Sequence, residues 1–221
     1  MSLVFVPPHM AGFVLAGGQS SRMGADKALQ LLAGQPLINH ALGALRQAGL
    51  TAAIAGAHSP LSEFAPVIED KHPGSGPLGG VCAALASTPA SRFLFVSVDT
   101  PLLPSSLLAC LAHHAQITQA AVTLCSVNGF AQTFPAVVSR ESLPWLQREL
   151  AEGRGGCYAA FQTAAARLGR LLKVLPVELL AQTGSVTHPA GLPAAFWLLN
   201  VNRPADLVRA GQLLDRELRV S

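Results

Sequence analysis

Charge is what this chain has least of. Only 12% of its 221 residues are Asp, Glu, Lys or Arg, while 50% are hydrophobic. Disordered chains show the opposite balance, so a large buried core is expected instead. The net charge of +3 reflects a shortage of acids. No run of five or more Lys or Arg occurs, which removes the usual footprint of a nucleic-acid partner. No apolar run reaches 18 residues, so no membrane span is expected. Cys82, Cys110, Cys125 and Cys157 form no CxxC pair, and no His stands at zinc-finger spacing from them. They read as reduced thiols packed like small hydrophobes. Residues 1–8 lack the basic start and long apolar stretch of a signal peptide, and residues 1–10 are expected as a disordered N-terminus. These absences set the expectation of a cytoplasmic protein with no nucleic acid and no membrane as partner.

What is present is a rhythm of apolar runs and helical stretches. Residues 11–16 read as a buried strand, followed by a Gly/Ser-rich loop to about residue 25. Pro36 starts a helix through Ala48, with Gly49 as its stop. Residues 51–55 and 66–69 read as short strands, and Gly76 opens a small-residue helix to Ser87. Residues 93–98 form a continuous apolar run, which suits a strand buried on both faces of a parallel sheet. Pro104 starts the next helix, through about Ala115. Further strands are expected at 120–126, 132–138 and 171–176. Further helices are expected at 141–152, 158–168 and from Pro204 to about Arg219. Residues 177–193 receive no assignment. No repeat or linker appears, so one domain is expected over residues 1–221. The fold class is α/β, a Rossmann-like three-layer α/β/α arrangement around a mainly parallel mixed sheet.

Four constellations carry chemistry. The first spans residues 15–27, where a strand ends in a loop with three glycines and two serines before Lys27. Glycines let consecutive backbone amides approach an anion. Arg22 and Lys27 add a planar fork and a point charge, the two cation types that bind phosphate. This is neither a Walker A loop nor GxGxxG. The plainer alternative is a polar surface loop. Against it stands the fact that one of only three lysines (Lys27, Lys71, Lys173) sits here beside an arginine. The second is Asp99-Thr100-Pro101, after the apolar run. Ligands of open α/β sheets lie beyond the carboxyl ends of strands, where a carboxylate can hold Mg²⁺. A turn or helix-capping Asp is the alternative, and both can hold at once. The third is Asp70 followed by Gly76-Pro77-Leu78-Gly79-Gly80. The fourth is Asn200-Val201-Asn202. By spacing alone, Asn202 reads better as a helix cap than as a binding residue.

Together these motifs resemble the molybdenum cofactor guanylyltransferase family, within the nucleotide-diphospho-sugar-transferase-like fold. The carriers are LAGG-x3-RMG-x-DK at Leu15 to Lys27, GPLGG at Gly76 to Gly80, VDTP at Val98 to Pro101 and NVN at Asn200 to Asn202. The resemblance runs over about residues 11–215. It implies that Leu15, Ala16, Gly17 and Gly18 pass the backbone around the nucleotide, with Gly76 and Gly80 also on it. It implies that Arg22 and Lys27 hold the triphosphate, that Asp70 lies near the nucleoside, and that Asp99 binds both nucleotide and Mg²⁺. Asn200 and Asn202 would face the acceptor or the reacting phosphates. Two positions depart from the pattern. The family often places an Asn after its second strand, where this chain has Ala55, and its later Gln-Pro is Gln132-Thr133 here. Residues 177–193 look longer than usual, which leaves room for a different acceptor specificity.

The activity so implied is transfer of GMP from GTP to the terminal phosphate of molybdopterin, with pyrophosphate leaving and Mg²⁺ as cofactor. Arg22, Lys27 and Asp99 are its expected catalytic residues. Partners would be GTP, molybdopterin, and molybdoenzyme chaperones or other cofactor-synthesis proteins. Two alternatives stand beside it. One is a cytidylyl- or sugar-phosphate nucleotidyltransferase of the same fold. The other is a nucleotide-binding regulatory protein without catalysis.

Overall fold

The computed structural model describes residues 9–16, 27–56, 59–70, 74–153 and 156–218. In chain order, β1 spans Met10–Leu15, and a small hairpin of β2 (Leu31–Leu32) and β3 (Gln35–Pro36) leads into α1 (Leu37–Gln47). Then come β4 (Ala52–Ala55), β5 (Val67–Ile68), α2 (Gly76–Ser87), β6 (Arg92–Ser97) and α3 (Ser105–Thr118). The second half runs β7 (Val122–Val127), β8 (Phe130–Ser139), α4 (Leu143–Ala151), α5 (Cys157–Arg167), β9 (Leu172–Pro176), α6 (Val177–Gln182) and α7 (Pro204–Leu218).

Proline explains where most helices begin. Pro36, Pro104 and Pro176 precede α1, α3 and α6, Pro77 and Pro144 lie in the first turns of α2 and α4, and Pro204 opens α7. Proline's fixed φ suits a helix start, where its missing N–H costs nothing. Helices α1 to α6 begin without a side-chain cap. A chain with so few acids starts its helices by backbone geometry.

The seven-stranded sheet has the order β5-β4-β1-β6-β8-β7-β9. β5, β4, β1 and β6 are parallel, β8 is antiparallel to both its neighbours, and β9 is parallel to β7. The sheet is therefore mixed and mainly parallel, with β6 at its centre. Two apolar layers cover it. One packs α1, α3 and α7 with Trp197; the other packs α2, α4 and α5. The three-layer α/β/α class is what the structure shows. Strand β6 is buried on both faces, with Phe93 and Phe95 turned to one layer and Leu94 and Val96 to the other. It starts one residue earlier than the apolar run, at Arg92, which pairs with Met10 and Ser139 and is also buried. Its guanidinium donates to the Ala120 carbonyl at 3.0 Å and to Gln119 Oε1 at 2.8 Å.

Residues 177–193, unassigned from sequence, form α6 and an ordered turn held on the start of α3. His188 Nε2 bonds the Leu102 carbonyl at 3.1 Å, and Trp197 Nε1 donates to the Leu192 carbonyl at 2.7 Å. The hairpin of β2 and β3 was not expected; its positive-φ turn at Ala33-Gly34 lies inside what reads as the run-up to α1. No helix among the described residues is long and apolar enough to cross a membrane.

The rings of Phe13, Phe93 and Phe95 lie 5.9–6.4 Å apart on the α2 side of β1 and β6. Phe95→Ala should lower unfolding free energy by about 3–5 kcal/mol through lost burial and a residual cavity. Equilibrium urea unfolding checks this, and a loss below about 1 kcal/mol would mean the core collapses around the site.

Candidate active site

The site is built where parallel strands end. Beyond β1, the Ala16 amide donates to the Ala55 carbonyl at 3.2 Å, and beyond β6 the Val98 amide donates to the Leu15 carbonyl at 3.2 Å. These bonds carry the alignment of β4, β1 and β6 one residue past the strands, so the chain leaves β1 and β6 side by side. Lys27, at the far end of the first motif, then meets Asp99. Its Nζ lies 3.1 Å from Asp99 Oδ2 and 2.6 Å from Asn202 Oδ1. Both members of the ion pair are partly exposed, with side chains at 14% and 22%, which leaves the pair within reach of a ligand.

The fourth motif is pinned to the same spot. Val201 is fully buried, and its amide donates to the Asp99 carbonyl at 2.8 Å. Asn202 does not cap α7. Its side chain goes to Lys27, while Asp206 accepts from the Asn202 and Arg203 amides at 2.9 and 2.8 Å. Asp206 stands three residues after Arg203 and reaches back, the acidic half of a capping box. Sequence reasoning missed Asp206; the spacing Arg203-Pro204-x-Asp206 was the available signal.

The third motif packs beside β1. A Cβ on Gly80 would sit 3.3 Å from Leu15 Cδ2 and 3.4 Å from the Gly56 backbone. A Cβ on Gly79 would overlap the Asp70 carboxylate. Gly79 thus lets Asp70 lie against the first turns of α2, where the helix dipole favours a negative charge. Ala55, where a polar contact was sought, is a buried strand residue that contributes only its carbonyl. Leu15 is buried, Ala16 half-buried and Asn200 exposed; Gly76, at positive φ, opens α2. Gly17, Gly18 and Arg22 lie outside the described residues.

Other candidate groups fall away. Burial, with Asp70's charge second, pushes the Cys82 thiol up to about 12, and burial pushes Cys125 and Cys157 to about 12 as well. None is a thiolate at neutral pH. His113 and His114 lie in the later half of α3, far along the helix from Asp99. A groove of about 620 Å³ opens between α1, residues 101–105 and residues 188–191. Its lining holds no Lys, Arg, Asp or Glu, so the charged chemistry is at the strand ends and not there. Among the described residues no three His, Cys, Asp or Glu side chains gather as a metal cage. A lone accessible carboxylate beside an amide oxygen suits Mg²⁺, which binds through one or two carboxylates plus substrate phosphates.

A lysine, a carboxylate and an amide converge at the carboxyl edge of a mainly parallel sheet, and this arrangement belongs with nucleotide-handling transferases. The family model of the MobA-like NTP transferase domain matches residues 12–168, and the chain belongs to that family of nucleotidyltransferases. A Rhizobium johnstonii protein named molybdenum cofactor guanylyltransferase is 32% identical over 216 residues, 94% of each chain. In shape, the chain is similar to molybdopterin-guanine dinucleotide biosynthesis protein A from Archaeoglobus fulgidus. The TM-score is 0.75 at 20% identity, over 94% of this chain and 100% of that one. It is also similar to 2-C-methyl-D-erythritol 4-phosphate cytidylyltransferase from Thermus thermophilus, with TM-score 0.63 at 17% identity over 92% and 98%. At these identities the two structures speak for the fold.

The Asp206 bonds make a pH prediction. The Asn202 amide, then that of Arg203 and the charges of Arg203 and Lys27, hold the Asp206 carboxyl below the usual aspartate range. A carboxyl depressed by folding stabilises above its unfolded pKa of about 3.9, and that contribution disappears as pH falls through the lower folded value. Asp206→Ala should therefore lower Tm at pH 7, and the gap to wild type should close on acidification below about pH 4. Thermal denaturation across that range checks it; a gap that persists in acid would mean the carboxylate is not its source.

Proposed function

We propose that the chain transfers GMP from GTP to the terminal phosphate of molybdopterin, in the cytoplasm, forming the guanine dinucleotide and releasing pyrophosphate. The observation that carries this reading is the meeting of Lys27, Asp99 and Asn202, from three separate motifs, at one point of the sheet edge. The relatives' names add the guanine and the acceptor.

In this reaction an acceptor phosphate oxygen bonds to the α-phosphorus of GTP. The bond from that phosphorus to the bridging oxygen breaks, and pyrophosphate leaves with the electron pair. The acceptor is already an anion, so no general base is needed. Two polyanions must be aligned and their charge neutralised. Lys27, which rests on Asp99 without ligand, turns its ammonium to the triphosphate with Arg22. Asp99 would then hold Mg²⁺, which supplies further charge neutralisation when bound. Asn202 orients Lys27 and, with Asn200, lines the acceptor side. Gly17 and Gly18 bring backbone amides to the nucleotide, and Asp70 with Gly76 and Gly80 border it. The whole chain, residues 1–221, acts as one transferase domain.

Lys27→Ala should weaken nucleotide binding and turnover together, and Asp99→Ala should reduce turnover more. Loss of one preorganised charge-stabilising group costs on the order of 10²–10³ in rate. Pyrophosphate release at saturating Mg²⁺ measures both, and near-wild-type rates would overturn the assignment. GTP should also raise Tm more than CTP or ATP at equal concentration with Mg²⁺, since a ligand that binds only the folded state stabilises as ln(1 + [L]/Kd). A larger shift with CTP would replace guanylyl by cytidylyl transfer.

A further inference from the structure

The segment that brings Asn202 to Lys27 is held at two points. Upstream, buried Val201 is tied through its amide to the Asp99 carbonyl at 2.8 Å. Downstream, Asp206 Oδ2 takes the amides of Asn202 and Arg203 at 2.9 and 2.8 Å. Asn202 itself is exposed, so packing does not fix where its side chain departs from the backbone. Its direction is set by that backbone, and the backbone is set by Asp206. The end of the relay is a short bond, Asn202 Oδ1 accepting from Lys27 Nζ at 2.6 Å. The positive charge of Lys27 in turn helps hold the Asp206 carboxyl low, after the Asn202 and Arg203 amides.

We infer that Asp206 is a positioning residue for the transfer reaction: it fixes Asn202, which in turn aims the Lys27 ammonium between Asp99 and the phosphates. This rests on the transfer reading above. Asp206 touches neither substrate nor Lys27 through a direct bond, and its effect on turnover passes through Asn202. Its effect on stability does not, because it bonds the backbone of α7's start whatever side chain residue 202 carries. The two effects therefore separate in a double-mutant cycle.

The experiment uses the full chain as wild type, Asp206→Ala, Asn202→Ala and the double variant, with three readouts. The first is kcat for pyrophosphate release from GTP with Mg²⁺ and molybdopterin. Asp206→Ala should lower it by up to about 10²-fold, the scale of a small misplacement of a reacting group. In the Asn202→Ala background the same change should lower it no further, since residues acting as a unit are not additive. The second is Tm, which Asp206→Ala should lower equally in both backgrounds. The third is the rate at which Lys27 is acylated by an amine-reactive ester, followed by peptide mass spectrometry; with three lysines in the chain, Lys27 is easily resolved. Both single variants should raise that rate. Additive losses in kcat, or an unchanged Lys27 rate in Asp206→Ala, would overturn the proposal and leave Asp206 a helix cap alone. If wild type releases no pyrophosphate from any NTP, the transfer reading fails, and the Lys27 labelling still decides whether Asp206 governs the lysine.

Discussion

The parallel register between β1 and β6 is the constraint on which the site depends. Phe13 pairs with Phe95 and Leu15 with Ser97 across these strands. A slip by one residue would turn Phe13 away from Phe93 and Phe95 and into the opposite layer. The aromatic cluster is thus what makes the register costly to change. That register then sets the bond from Val98 to Leu15, and with it the point where Asp99 leaves the sheet. A purely apolar preference several residues back decides where a carboxylate meets a lysine.

Scarcity of charge gives that meeting its character. In a chain with 12% charged residues, Lys27 meets one of only five aspartates. The pair it makes with Asp99 is part-buried, with side chains at 14% and 22% exposure. In the proposed reaction a triphosphate offers Lys27 several charges where Asp99 offers one. A deeply buried pair would resist opening, since separating it would strand a charge.

Much of this was legible in the sequence, for identifiable reasons. The doubly buried β6 announced itself as an unbroken apolar run, and proline marked the helix starts at 36, 104 and 204. Lys27 and Asp99 stood out because both residue types are rare here. Asn202 was misjudged because spacing cannot tell which group caps a helix. Position alone favoured Asn202, whereas Asp206, one turn inside, took the amides and released the Asn202 side chain for Lys27. Residues 177–193 gave no signal because their order comes from tertiary bonds, such as His188 to the Leu102 carbonyl, and not from local periodicity. The reversed direction of β8 was equally hidden, since antiparallel and parallel strands with buried faces read alike.

The division of the site along the chain has a further consequence. The family model ends at residue 168, and within it lie Lys27 and Asp99. Asn202 comes from beyond it, 175 positions from Lys27 in sequence. The matched region thus carries the Lys27–Asp99 pair, while Asn202, which accepts from Lys27, is delivered by the C-terminal stretch. Residues 177–198 pack on the start of α3 and on the loop after Asp99, so this stretch is fastened to the carboxyl edge of the sheet by the same loop that carries the carboxylate.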